Sequence, residues 1–136
     1  MKDETRTWLS FADENLAVAR LTLEHGHLNA CLQNAQQAVE KYLKAMIVEL
    51  DIEFRRTHSI RELAGLLGSQ DISVVLAEDE MDLMDAIYVP SKYPVYTALP
   101  YMEPETAICE EALEIAGKIR KRVWVTLQPG DFPPDP

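Results

Sequence analysis

Gln37, Glu40, Lys41 and Lys44 recur at steps of three and four along the chain, so on a helix they share one face. An amide, a carboxylate and two ammonium groups on one line form either a solvated surface or the wall of a site. Glu40 and Lys44 have the i,i+4 orientation of a surface ion pair, worth only a few tenths of a kcal/mol. His58 follows Thr57 at the start of a later helical segment. Its imidazole can cap or hold that loop. Alternatively, His58, Lys44 and Lys92 face one cleft and grip a phosphate with the help of helix N-terminal amides. Lys92-Tyr93-Pro94 and Tyr96 place a cation beside aromatic rings. That pairing suits base stacking with phosphate contact, and equally a dimer interface, where Tyr is enriched.

Other constellations carry less. Arg20 stands five residues before His25 and seven before His27, but a five-residue step turns about 500° on a helix and parts the first pair of side chains. His25-Gly26-His27 offers two imidazoles with no Cys or further His nearby in sequence, where a metal site needs three or four converging ligands. It is read as a polar helix end. Glu78, Asp79, Glu80, Asp82 and Asp85 could hold Mg²⁺, but their helical step marks them as a solvated face. No metal or cofactor is expected, and no catalytic residue is assigned.

The elements that must position these residues follow from apolar periodicity. Leu9, Ala12, Leu16, Ala19 and Leu23, widened by Trp8 and Phe11, predict a first helix from Asp3 to about His25, stopped by Gly26. Leu28, Cys31/Leu32, Ala35, Ala38/Val39, Tyr42/Leu43, Met46/Ile47 and Leu50 predict a second, to about Leu50. The connection is short enough to make the pair antiparallel neighbours. Arg55 and Arg56 lie in the polar link that follows. Ser59-Ile60-Arg61-Glu62 reads as a capping box for a short third helix that ends at Gly68. Asp71 is the expected cap of a fourth, running to about Tyr88 with Val75, Leu76, Leu83, Met84 and Ile87 inward. Pro90, Pro94 and Pro100 then forbid a continuous helix, and with Tyr93, Tyr96 and Tyr101 they predict a long aromatic loop. Pro104 opens a fifth helix on Ile108, Ala112, Ile115, Ile119 and Val123. Lys118, Arg120, Lys121 and Arg122 fall near its C-terminal end, where cations offset the helix dipole. Residues 128–136 are expected to be a flexible Pro-rich tail on a bundle of residues 1–127. The fold class is all-α, an up-and-down four-helix bundle with an additional short helix.

The chain's 136 residues, 47% of them hydrophobic, suffice for one domain with a real core. A net charge of −10 disfavours non-specific nucleic-acid binding, which draws on clustered Lys and Arg. Cys31 and Cys109 lack a CxxC partner and sit in apolar registers, as buried free thiols do. With no apolar signal core after Lys2 and no run of about 18 apolar residues, a cytoplasmic protein with no membrane association is expected.

Gln36-Gln37-Ala38-Val39-Glu40-Lys41-Tyr42-Leu43-Lys44-Ala45, then Thr57-His58-Ser59-Ile60 before Leu63, then Ser91-Lys92-Tyr93-Pro94 occur in an order that resembles the signature of HEPN-domain proteins. Trp8 and the Ala-rich first helix add to the likeness, which spans roughly residues 4–125. The resemblance implies a helical bundle that forms a homodimer. It also implies one of two activities. One is a non-catalytic nucleotide- or RNA-binding partner of a separate minimal nucleotidyltransferase, as in a toxin–antitoxin pair. The other is a metal-independent ribonuclease toxin. A structural dimeric interaction module is a further alternative. The ribonuclease group carries Arg-x4–6-His near the start of a late helix; here Lys92 stands where relatives commonly show Arg, and no His follows it. No Gly-Ser motif followed by paired aspartates is present either, so transferase chemistry would have to come from the partner. The binding reading is preferred, with Gln37, Lys41, Lys44, His58, Lys92, Tyr93 and Tyr96 as its site.

Overall fold

The computed structural model describes residues 1–53, 56–92, 104–130 and 132–136, of residues 89–92 the backbone alone. Arg55, Tyr93, Pro94, Tyr96, Pro100 and Tyr101 lie outside the described residues. The elements are α1 (Asp3–Glu24), α2 (Leu28–Glu49), α3 (Ile60–Gly68), α4 (Glu78–Lys92) and α5 (Thr106–Leu127). No strand occurs among the described residues. The architecture is the expected all-α bundle, four longer helices with one short one.

α1 and α2 pair antiparallel. Lys2 N donates to Glu49 Oε1 at 3.0 Å, Thr5 Oγ1 to the same oxygen at 2.9 Å, and Asn15 Nδ2 to Asn34 Oδ1 at 2.9 Å. The turn between the helices is a Schellman motif: Gly26 takes φ 78°, Gly26 N bonds Leu23 O at 3.0 Å and His27 N bonds Thr22 O at 2.8 Å. His25 and His27 flank that turn, exposed.

α2 packs against all four other helices. A helix in that position must be buried nearly all round, and α2 buries Ala35, Ala38, Val39, Tyr42, Leu43, Met46 and Ile47 together with the polar Gln36, Glu40 and Lys44. The core joins these to Leu9, Leu16, Ile60, Leu63, Met84, Ile115, Ile119 and Val123. Each fully buried Leu or Ile contributes about 1.5–3 kcal/mol. Phe11, placed in the α1 stripe on periodicity, is instead half exposed, with Lys41 Nζ 5.9 Å from its ring centroid.

Helix four departs from expectation at both ends. Asp71 does not cap it. With φ 61°, Asp71 terminates α3 instead: its N–H bonds Gly68 O and the Ile72 N–H bonds Leu67 O, each at 3.0 Å. Asp is among the few non-glycine residues that tolerate this conformation. Val75 and Leu76 therefore lie in the link before α4. At the other end Pro90 does not stop the helix, which continues to Lys92. Lacking an N–H, Pro90 deprives only the Ala86 carbonyl of its helical bond, and Met84 and Ile87 hold the helix to the core.

α3 is also capped differently from the expected box. Ser59 Oγ does accept from Glu62 N at 3.2 Å. The remaining N-terminal groups are met from α4: Asp85 accepts from Ile60 N at 2.6 Å, Ser59 Oγ at 3.0 Å and Arg61 N at 3.3 Å. A carboxylate on a helix N-terminus is favoured by both hydrogen bonding and the dipole.

The acidic run of α4 is the expected solvated face at Glu78, Asp79 and Asp82, which are exposed, and it also braces its neighbours. Asp85 caps α3. Glu80 takes Lys118 of α5 at 2.7 and 2.8 Å and Ala77 N at 2.9 Å. Arg61 spans Glu78 and Asp82, the latter at 2.6 Å. Three of the four cations at the basic end of α5 are engaged: Lys118 by Glu80, Arg122 by Ser73 O at 2.9 Å, and Arg120 by a buried network.

Candidate functional site

Glu40 is the centre of the site. It faces inward on α2 with its side chain 3% exposed. A buried carboxylate must be paired or protonated. Lys44, one turn on and 8% exposed, donates to Glu40 Oε2 at 3.1 Å. The Lys44 ammonium also lies 5.6 Å from the Trp8 ring centroid on α1, within range of a cation–π contact.

His58 reaches the same carboxylate from the loop before α3. Its Nδ1 is 3.1 Å from Glu40 Oε1 and 3.3 Å from Oε2. Its ring stacks on Tyr88 of α4, with centroids 4.8 Å apart and planes at 14°. The loop is pinned from behind: Gln36 Nε2 donates to His58 O at 3.4 Å, and Gln37 Nε2 donates to Gln36 Oε1 at 2.8 Å. Among the described residues, His58 Nε2 has no partner, and the side chain is 49% exposed. One imidazole nitrogen is fixed by a carboxylate and the other is presented outward. That arrangement sets ring orientation and tautomer, and it serves a ligand contact as well as proton transfer.

The structure therefore brings Gln37, Lys44 and His58 together through Gln36 and Glu40. Lys41 goes elsewhere: its Nζ donates to Asn15 Oδ1 on α1 at 2.7 Å. Lys92 is the last residue of α4; Tyr93 and Tyr96 lie outside the described residues. Tyr88 and Trp8 complete the cluster. Trp8, Gln36, Glu40 and Tyr88 were not among the residues assigned to the site from sequence; Glu40 was visible on the polar face of α2, and Gln36 and Tyr88 only by their place beside the Gln37 and Lys92 motifs.

The two charges in this pocket neutralise each other. A phosphate approaching Lys44 would meet the Glu40 carboxylate as well. Among the described residues, no group of three or more His, Cys, Asp or Glu is placed to hold a metal ion. A groove of about 520 Å³ between α3 and the link to α4, lined by Arg61, Gly65, Asp71, Val74 and Met81, is a separate feature, lined by none of Gln37, Glu40, Lys44 and His58. No helix among the described residues is long and apolar enough to cross a membrane.

Comparison with known proteins matches the chain to a family. The model of the HEPN domain matches residues 5–125. The crystal structure of TT1696 from Thermus thermophilus is similar with a TM-score of 0.74 and 30% identity, over 93% of this chain and 100% of that one. ST0689, described as an archaeal HEPN homologue, is similar with a TM-score of 0.64 and 25% identity, over 94% of this chain and 100% of that one. Comparison with curated proteins gives no match. On the span of the domain match and the likeness to these solved structures, the chain belongs to the HEPN family.

Proposed function

We propose that this HEPN protein acts as a homodimer that binds a nucleotide or RNA without transforming it, as the partner of a separate minimal nucleotidyltransferase in a toxin–antitoxin type pair. One observation carries the reading: Glu40, buried, lies 3.1 Å from both Lys44 and His58. The cation is compensated inside the fold and the imidazole is fixed by carboxylate and Tyr88 together. A rigid, neutralised edge of this kind suits recognition, because no ordering is needed when the ligand arrives. His58 Nε2 and the outer face of its ring supply the contact, flanked by Gln37 and Lys44. Lys92, Tyr93 and Tyr96 are proposed as further ligand contacts on their residue types alone, a cation beside aromatic rings. The charge of −10 favours a partner with a basic face.

The test is co-expression with a minimal nucleotidyltransferase encoded beside it, followed by size-exclusion chromatography with and without ATP. Co-elution, weakened about ten-fold (about 1.4 kcal/mol) by His58→Ala, supports the proposal. Separate elution, with no binding of ATP or short RNA by the HEPN chain alone, rejects it.

A second reading has its own observation. A histidine oriented by a carboxylate at Nδ1 and open at Nε2 is also the arrangement of a general base. On that reading the protein is a metal-independent ribonuclease, and RNA incubated with it in EDTA is cut. Glu40→Gln and His58→Ala would each abolish the cleavage. RNA left intact by the folded wild-type protein removes this alternative.

A further inference from the structure

Arg120 is the largest fully buried side chain in the core, at 1% exposure. Its guanidinium carries five N–H donors and a charge that cannot be titrated away, so it requires a full set of acceptors. On the bundle itself, Asp13 of α1 accepts from Nε at 3.0 Å, with the Tyr42 hydroxyl beside it. The others come from the segment after α5. Asp135 Oδ1 lies 3.2 Å from one terminal nitrogen, and Pro133 O and Pro134 O lie 3.3 and 2.8 Å from the other. The Phe132 ring sits with its centroid 5.2 Å from the guanidinium carbon. Arg20 of α1 adds a second cation, 3.9 Å from Asp135 Oδ2.

The segment lies on the surface. Asp135 is 71% exposed at its side chain and Phe132 is 45% exposed. It is held by the arginine contacts rather than by burial in the core. Its sequence, Phe-Pro-Pro-Asp, is what a peptide ligand of such a site requires. The prolines have restricted backbones and lose little entropy on docking, and their carbonyls accept hydrogen bonds while their nitrogens donate none. Phe supplies a ring for the cation and Asp a carboxylate for the fork. The receiving side is already organised: Tyr42 of α2 donates its hydroxyl to Asp13, which holds the carboxylate under Arg120. The site's charges balance, Arg20 and Arg120 against Asp13 and Asp135.

We propose that Arg120, Arg20 and Asp13 form a peptide-binding site, occupied in cis by Phe132–Asp135, whose ligand class is a short proline-containing peptide with an aromatic residue three positions before an acidic one. The resident segment is tethered a few residues from the end of α5, so its effective concentration at the site is in the millimolar range. It therefore masks the site from the same peptide offered in solution. This inference is independent of the Glu40–His58 site and of the proposed function.

The experiment uses the full chain. A fluorescein-labelled peptide with the sequence of residues 129–136 is titrated, by anisotropy at low ionic strength, against wild type and against the double variant Phe132→Ala/Asp135→Asn. The expected result is at least about ten-fold tighter binding by the double variant, because the tethered competitor has been weakened. A peptide with Asn at the position of Asp135 should bind that variant several-fold more weakly. Arg20→Gln added to the double variant should also weaken binding and flatten its salt dependence. If the double variant loses native helical circular dichroism, Asp135→Asn alone replaces it, with a smaller gain expected in the same direction. Equal binding by wild type and folded variants, or indifference to the peptide's acidic residue, overturns the proposal: the segment would then be a fixed part of the fold.

Discussion

Replacing Glu40 with alanine should be among the most destabilising single changes in this protein. The carboxylate is 3% exposed and its partner ammonium on Lys44 is 8% exposed. Glu40→Ala leaves that ammonium buried without its counter-charge and removes the acceptor of His58 Nδ1. Breaking a buried pair from one side costs about 3–5 kcal/mol, a large part of the roughly 5–15 kcal/mol that holds a domain together. With m near 2 kcal/mol/M, the urea midpoint should fall by about 2 M. Lys44→Met alone should cost less, because His58 remains on the carboxylate. Glu40→Leu/Lys44→Met should return to within about 1 kcal/mol of wild type, since a buried pair replaced by well-packed apolar groups is close to neutral. The assay is urea unfolding followed by circular dichroism at fixed protein concentration, with Glu40→Leu, Lys44→Met and their combination read as a double-mutant cycle. The reasoning is refuted if Glu40→Ala costs under about 1 kcal/mol, or if the double variant shows the plain sum of the single losses.

Three further outcomes follow from the packing. Asp85→Ala should lower stability by about 1–3 kcal/mol, because it strips the cap from Ser59, Ile60 and Arg61 of α3; Asp85→Asn should recover part of it in thermal unfolding. Burial alone would raise the Glu80 carboxyl, but the bonds from Ala77 N and Lys118 outweigh it and hold the group below its ordinary value of 4.5. A depressed folded-state value means stability present above the unfolded value and lost as pH falls through the folded one. The stability difference between wild type and Glu80→Gln should therefore be constant above about pH 5.5 and shrink below about pH 4.5, which a pH series of thermal melts checks. Burial, followed by the neighbouring Cys109, pushes the Cys31 thiol up to about 12, so native protein should react with a thiol reagent far more slowly than the urea-unfolded chain.

Much of the fold was legible from periodicity. The spans of α1, α2, α3 and α5 matched within a residue or two because their apolar steps and stop signals agree. Helix four was not legible at its edges. Val75 and Leu76 fit a helical step by coincidence, while Asp71 in a left-handed conformation had already closed α3. Pro90 reads as a breaker in any sequence, yet α4 runs on to Lys92, because the missing N–H costs a single helical bond.

The polar face of α2 was visible as Gln37, Glu40, Lys41 and Lys44, but its meaning was not. Spacing shows that residues share a face; it does not show that α2 is central, which is why Glu40 and Lys44 are buried and paired. Their convergence with His58 required the fold, because 18 residues separate His58 from Glu40. Arg120 was read as one cation among several at a helix end. Its step of four from Ala116 put it in the core register, and only the docking of Phe132–Asp135 makes that tolerable.

The central claim is that Glu40 holds His58 with Nε2 presented to a ligand. Nitrogen-15 NMR of the imidazole, recorded while ATP and then a short RNA are titrated into the protein, tests it directly. The account predicts a saturable shift of the His58 Nε2 resonance, with Nδ1 still bonded to Glu40 and the response lost in Glu40→Leu/Lys44→Met. An Nε2 signal that stays unmoved at millimolar ligand, or an Nδ1 that behaves as in free histidine, would contradict it.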